Sequence, residues 1–203
     1  MLQRLIRYFA GSSDGAAADA GEVFDVLGFR VVVFNSRPDI ATDAVLTRLE
    51  EALLLIQGAQ PWRLAHMRRD VRQIVVMRYA CRGAWMPAQG SVMTELTFLA
   101  RTDIGAETVA SSILHEGVHA RVDRMGVRAA ARDRAREERI CRRAELAFGE
   151  ALPTDIGAPV IERALASLAL DDGEVAPVID PGEALRRQRE VDAAALDAWR
   201  RNA

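Results

Sequence analysis

The chain has 203 residues, enough for one domain with a substantial core, and its composition, half hydrophobic and 5% aromatic, describes a helix-rich globular protein rather than a disordered one. The formal net charge of -2, with the arginine-rich stretches 132–143 and 186–189 interleaved with acids, argues against a nucleic-acid-binding face. Two distant cysteines, Cys81 and Cys141, exclude a disulfide framework, and no stretch approaches the roughly 20 apolar residues of a membrane span; the expectation is a soluble, cytoplasmic protein with no membrane partner.

In chain order, residues 1–9 read as a short amphipathic helix, with Arg4 and Arg7 interrupting any signal-peptide core. The small, polar segment 11–21 reads as a linker. Residues 29–34 (FRVVVF) predict a strand ended by the Asn35-Ser36-Arg37-Pro38 turn signal. Leucines at helical spacing predict a helix over 42–57 closing at Gly58, and a short helix follows at 62–67. Residues 71–79 and 94–100 predict two more strands, with the glycine- and proline-bearing segment 83–90 between them. From 106 the pattern is helical: one helix to about 125 ended by Gly126, a second over 130–152 ended by Pro153, then candidates at 159–170 and 182–201 flanking a loop at 171–181. The expected organisation is an N-terminal segment 1–21, a domain 22–153 and a C-terminal helical extension 154–203. The expected fold class is α+β, with a small mixed or antiparallel sheet of about three strands packed on helices.

The chemistry concentrates in His115-Glu116-Gly117-Val118-His119. Histidines four apart on a helix are turned only about 40° from each other, so both imidazoles reach one ion from the same face. Glu116 is turned about 100° from His115, where it is badly placed as a ligand and well placed to take a proton from a metal-bound water. Zinc suits this pattern because it accepts nitrogen and oxygen ligands tetrahedrally and leaves a position for water. The chain holds only three histidines, and two of them have this spacing. Leu114, Val118, Val122 and Met125 form an apolar stripe beside them, so the histidines are expected at the rim of the buried side.

A catalytic zinc takes about three protein ligands, and no third histidine follows in the HExxHxxGxxH pattern, since Val122 and Met125 stand at its positions. The remaining source is an acid on the next helix: Glu137, Glu138 or Glu145. If the chain reverses around 126–130 and the two helices run antiparallel, Glu138 returns level with His119, and Glu145 lies two turns further along the same face. This ranks Glu138 as the third ligand and Glu145 as the alternative, or as a partner for a ligand's free ring nitrogen. Glu137 points away from Glu138 and is disfavoured. A fourth side chain, Cys141 or Asp123, would instead close the site and make it non-catalytic, and a partner-binding module that keeps the motif only as a fold staple is the other alternative.

Residues 112–121 (SILHEGVHAR), with 137–148 (EERICRRAELAF), resemble the gluzincin zinc metallopeptidases, and more narrowly a group of poorly characterised bacterial zinc peptidases; the likeness covers roughly 94–150. The resemblance implies a zincin-like fold, Zn2+ held by His115, His119 and Glu138, Glu116 as catalytic base, and a peptide or protein substrate. His66 and Tyr79 are the most suitable side chains for oxyanion stabilisation, though either residue type is more often simply packed. The strand expected at 94–100 is either an edge that pairs with an extended peptide or an ordinary interior strand.

Overall fold

The runs FRVVVF and QIVVM are apolar almost without alternation, the pattern of strands covered on both faces. In the computed structural model, which describes residues 21–126, 134–175 and 180–202, they become β2 (Phe29–Phe34) and β3 (Gln73–Met77). With β1 (Glu22–Val26), β4 (Gly83–Met86) and β5 (Ser91–Glu95) they make a five-stranded sheet of order β1-β2-β3-β5-β4. β2–β3 and β3–β5 are parallel, while β1–β2 and β4–β5 are antiparallel, so the sheet is mixed. Val31, Val33, Ile74, Val76 and Val92 face the main core, and the alternate residues Val75 and Met93 join Met86 in a smaller cluster on the other face.

The helices are α1 (Thr42–Ala59), α2 (Pro61–Asp70), α3 (Leu96–Ala100), α4 (Ala106–Arg124), α5 (Arg134–Ala151), α6 (Thr154–Leu168), α7 (Asp172–Val175) and α8 (Pro181–Asn202). Together with the sheet they confirm the α+β class. None is long and apolar enough to cross a membrane. The expected helix at 1–9 and nearly all of the linker at 11–21 lie outside the described residues.

Three differences from expectation have physical causes. The sheet has five strands rather than three, because two short strands carry weak signals. β1 closes a two-residue hairpin through Leu27 (φ 51°) and Gly28 (φ 77°). A leucine in the left-handed region costs roughly 1 kcal/mol and lacks the Asn-Gly signature of such turns; the Leu27 carbonyl recovers a partner by accepting from the Arg68 guanidinium at 2.7 Å. β4 lies in the segment read as a connection. The strand expected at 94–100 ends at Glu95, whose buried carboxylate accepts from Phe98 N at 2.7 Å and caps α3. β5 is therefore an interior strand, and the edge nearest α4 belongs to β4.

The helical bounds differ in smaller ways. α1 runs past Gly58, α2 extends to Asp70, and α6 begins at Thr154, directly after Pro153, with Pro159 in its interior. α7 occupies part of the expected loop at 171–181. α8 is tied down by Asp192, which accepts from Arg37 at 2.7 Å and from Arg78 at 2.9 Å.

α5 and α6 cross where glycines remove side chains from both. A Cβ on Gly157 would lie 2.2 Å from the Gly149 carbonyl oxygen, and one on Gly149 would lie 3.1 Å from the Ile161 backbone nitrogen. Backbone cannot yield as a flexible side chain can. Gly157→Ala should therefore lower the melting temperature by about 5 °C or more, the effect of an overpacked contact. Gly58→Ala, with nothing within 4 Å of the added carbon, should be neutral or stabilising because alanine is the better helix former. Equal melts for the two variants would refute the close crossing.

Candidate metal centre

The HExxH residues lie in the middle of α4, whose face Val109, Ala110, Ile113, Leu114, Val118 and Ala120 is buried in the core. Met125 is 61% exposed, so the apolar stripe that flanks the histidines ends at Val122. Gly117 occupies the one position of the motif that presses on α2: a Cβ there would lie 2.7 Å from Met67 Cγ. The motif helix is thus seated closely on the protein body with its histidines facing α5.

α5 returns antiparallel to α4, as the pairing of Ser111 and His115 with Glu145, and of His119 with Glu137, requires. Each imidazole is held at Nδ1 by a carboxylate: His115 donates to Glu145 Oε1 at 2.6 Å and His119 to Glu137 Oε1 at 2.8 Å. This leaves the two Nε2 atoms facing each other at 3.1 Å. The Glu138 carboxylate comes to the same point, 3.2 Å from His115 Nε2 and 3.6 Å from His119 Nε2. The buried Cys141, one turn along α5 from Glu138, belongs to the same neighbourhood: its Sγ and one nitrogen of each histidine lie within 4.8 Å of one another. Asp123 is not part of that cluster.

Glu116 points instead toward the sheet edge. Its carboxylate accepts from the Trp85 backbone N–H in β4, and a Cβ on Gly83 would lie 3.1 Å from its Cγ. A cleft of about 310 Å³ opens beside His115 and Glu116 and is lined also by Arg82, Arg142 and Arg163. His66 and Tyr79 do not line it. His66 borders a separate small cavity on the α2 side of α4, its ring edge-on to Trp62, and Tyr79 lies against the surface toward α8.

The electrostatics follow from burial and pairing. Burial lifts the Glu116 pKa above the usual carboxylate range, while the two histidines and the Trp85 N–H oppose the shift. Burial alone would lower the His115 pKa, but the Glu138 and Glu145 carboxylates outweigh it and raise the value to about 9. Burial acts upward on Glu138 and Glu145 as well, and the hydrogen bonds to His115 overcome it and hold both below the ordinary value.

The sequence reading disfavoured Glu137, which the structure makes the His119 partner, and it missed Arg82 and Arg163 as cleft residues. A helical-net comparison of 111–119 with 137–145, assuming antiparallel packing, would have reached Glu137; the arginines come from other elements and have no local signal.

The charge pattern sets the pH response of the metal-free protein. A histidine whose pKa rises from 6.5 to about 9 on folding adds stability that is complete below pH 6.5 and lost as the pH rises through 9. Glu138 and Glu145, depressed on folding, add stability above their ordinary value near 4.5 and lose it as the pH falls. In excess chelator the melting temperature should be highest between about pH 5 and 6.5 and several degrees lower at pH 9. A melting temperature that climbs steadily from 6.5 to 9 would contradict an ionised His115.

No protein-family model, curated protein or solved structure matches the chain. What the centre does has to be reasoned from its own geometry.

Proposed function

We propose that the protein is a zinc-dependent hydrolase of the metallopeptidase kind, with a zincin-like arrangement of the HExxH helix and the following glutamate-bearing helix. The observation that carries this reading is the meeting of His115 Nε2, His119 Nε2 and the Glu138 carboxylate at one point beside a cleft that Glu116 also lines. Two imidazoles and one carboxylate are a donor set suited to zinc, and both rings are pinned at Nδ1 by carboxylates, as metal-bound histidines usually are. Zinc in such a site supplies a Lewis acid and a water of lowered pKa.

The chain's own residues then have distinct tasks. Glu116, with its pKa raised by burial, takes up a proton from the attacking water and returns it to the leaving amine. Glu145 and Glu137 keep the imidazoles oriented. β4, an edge strand with Gly83 packed on Glu116, offers backbone to an extended peptide alongside the cleft. Glu116→Gln should retain zinc and thermal stability, yet lower hydrolysis of a susceptible peptide by about 10²–10⁴-fold. A peptide library on which wild type and variant behave alike, with zinc equal in both, would reject the hydrolase.

The nearness of the Cys141 thiol supports a second reading, a closed, non-catalytic zinc site. We favour Glu138 as the third ligand because its oxygens lie 3.2 and 3.6 Å from the two Nε2 atoms. Cys141 is wholly buried as a thiol whose pKa is pushed up by burial and then by the surrounding carboxylates. Glu138→Ala should therefore strip zinc from the chain, and Cys141→Ser should retain about one zinc per chain by elemental analysis after dialysis. The reverse outcome would favour the closed site.

A further inference from the structure

The cleft beside His115 and Glu116 holds more positive charge than hydrolysis itself requires. Arg82 stands immediately before β4, Arg142 comes from α5 and Arg163 from α6, so three separate parts of the chain each contribute an arginine to the lining of one space of about 310 Å³. Their compensation is thin. Glu145 accepts from Arg142 at 2.6 Å and lies 3.8 Å from Arg163, but the same carboxylate already serves His115 and Ser111. Arg142 Nε is buried without a partner. Arg82 stacks over the Phe98 ring at 5.5 Å, and no carboxylate among the described residues pairs with it.

Burial pushes the Arg163 pKa below its ordinary value; Arg82 and Arg142 add to this as like charges, against Glu145 and Glu107. Three arginines on one cavity, set against the carboxylates of Glu145 and Glu116, make a receptor for an anion, and their planar forks suit a carboxylate. Ser112 and Ser167 add hydroxyls to the lining.

Building on the hydrolase reading above, we propose that Arg82, Arg142 and Arg163 form a carboxylate-recognition subsite. The substrates are peptides whose scissile bond lies next to a free C-terminus or an acidic side chain. The carboxylate is held by the arginines while the neighbouring carbonyl is presented to the centre formed by His115, His119 and Glu116.

The test uses the full chain carrying Glu116→Gln, loaded with zinc so that ligands bind without turnover, and titration calorimetry with four probes. Acetohydroxamic acid, a zinc chelator uncharged in neutral solution and without a carboxylate, reads the metal centre. Trialanine with a free C-terminus, trialanine amide, and N-acetyl-Ala-Glu-Ala amide read the subsite. At least one of the two carboxylate-bearing peptides should bind about tenfold or more tightly than trialanine amide, and which one does so separates an α-carboxylate from an acidic side chain. Adding Arg82→Gln or Arg163→Gln should reduce that preference about tenfold; Arg82 is exposed, so its replacement does not threaten folding. If acetohydroxamic acid binds while the three peptides bind equally or not at all, the subsite is overturned and the zinc centre stands. The subsite is overturned too if the preference survives both arginine replacements. If the chain neither retains zinc nor binds acetohydroxamic acid, the hydrolase reading falls and takes the subsite with it.

Discussion

One buried carboxylate governs the arrangement of the site. Glu145 is 1% exposed, and an ionised carboxylate so placed is tolerated only when its oxygens are fully engaged. It accepts from Ser111 and His115 of α4 and from Arg142 of its own helix, with Arg163 of α6 nearby. These groups can surround Glu145 in only one register of α4 against α5. A slip by one turn would take Ser111 or His115 out of reach of Glu145, and a buried charge that loses partners costs several kcal/mol. Satisfying this single charge therefore sets the helix register, the register orients the His115 ring, and the orientation directs Nε2 toward Glu138, two turns away on the same face of α5.

The same economy of space appears in the glycines. Gly117 lets α4 rest on Met67, and Gly149 with Gly157 lets α6 close on α5. Each contact removes slack beneath the imidazoles, and a centre that must hold its donors to within about 0.5 Å depends on such support. On the opposite side Arg82 is exposed and the cleft opens. The packed helices thus carry the histidines, the carboxylates and two of the guanidiniums, Arg142 and Arg163, while Arg82 approaches from the open side.

Elements with strong periodicity were readable from their own residues. β2 and β3 declare themselves by β-branched runs, and α1, α4 and α5 by spacing and by their breakers. Elements governed by a single local contact were not: β1 turns on a left-handed Leu27, and the 94–100 segment switches from strand to helix because the Glu95 side chain caps the backbone of Phe98. Propensity treats TELTFL as a strand, and one buried hydrogen bond overrides it.

For the site the division is similar. The spacing of His115 and His119 on a helix is enough to put two imidazoles on one face, since that follows from 3.6 residues per turn alone. Glu116 is likewise turned off that face by the helix geometry. Which acid meets the Nε2 atoms, which acids hold the Nδ1 atoms, and how near Cys141 comes were decided by the antiparallel packing of α4 on α5. The arginines of the cleft belong wholly to tertiary structure. Residues 82, 142 and 163 share no periodicity and no motif, and only the folding of a loop and two helices around α4 makes neighbours of them, because charge clustering depends on distance in space and not along the chain.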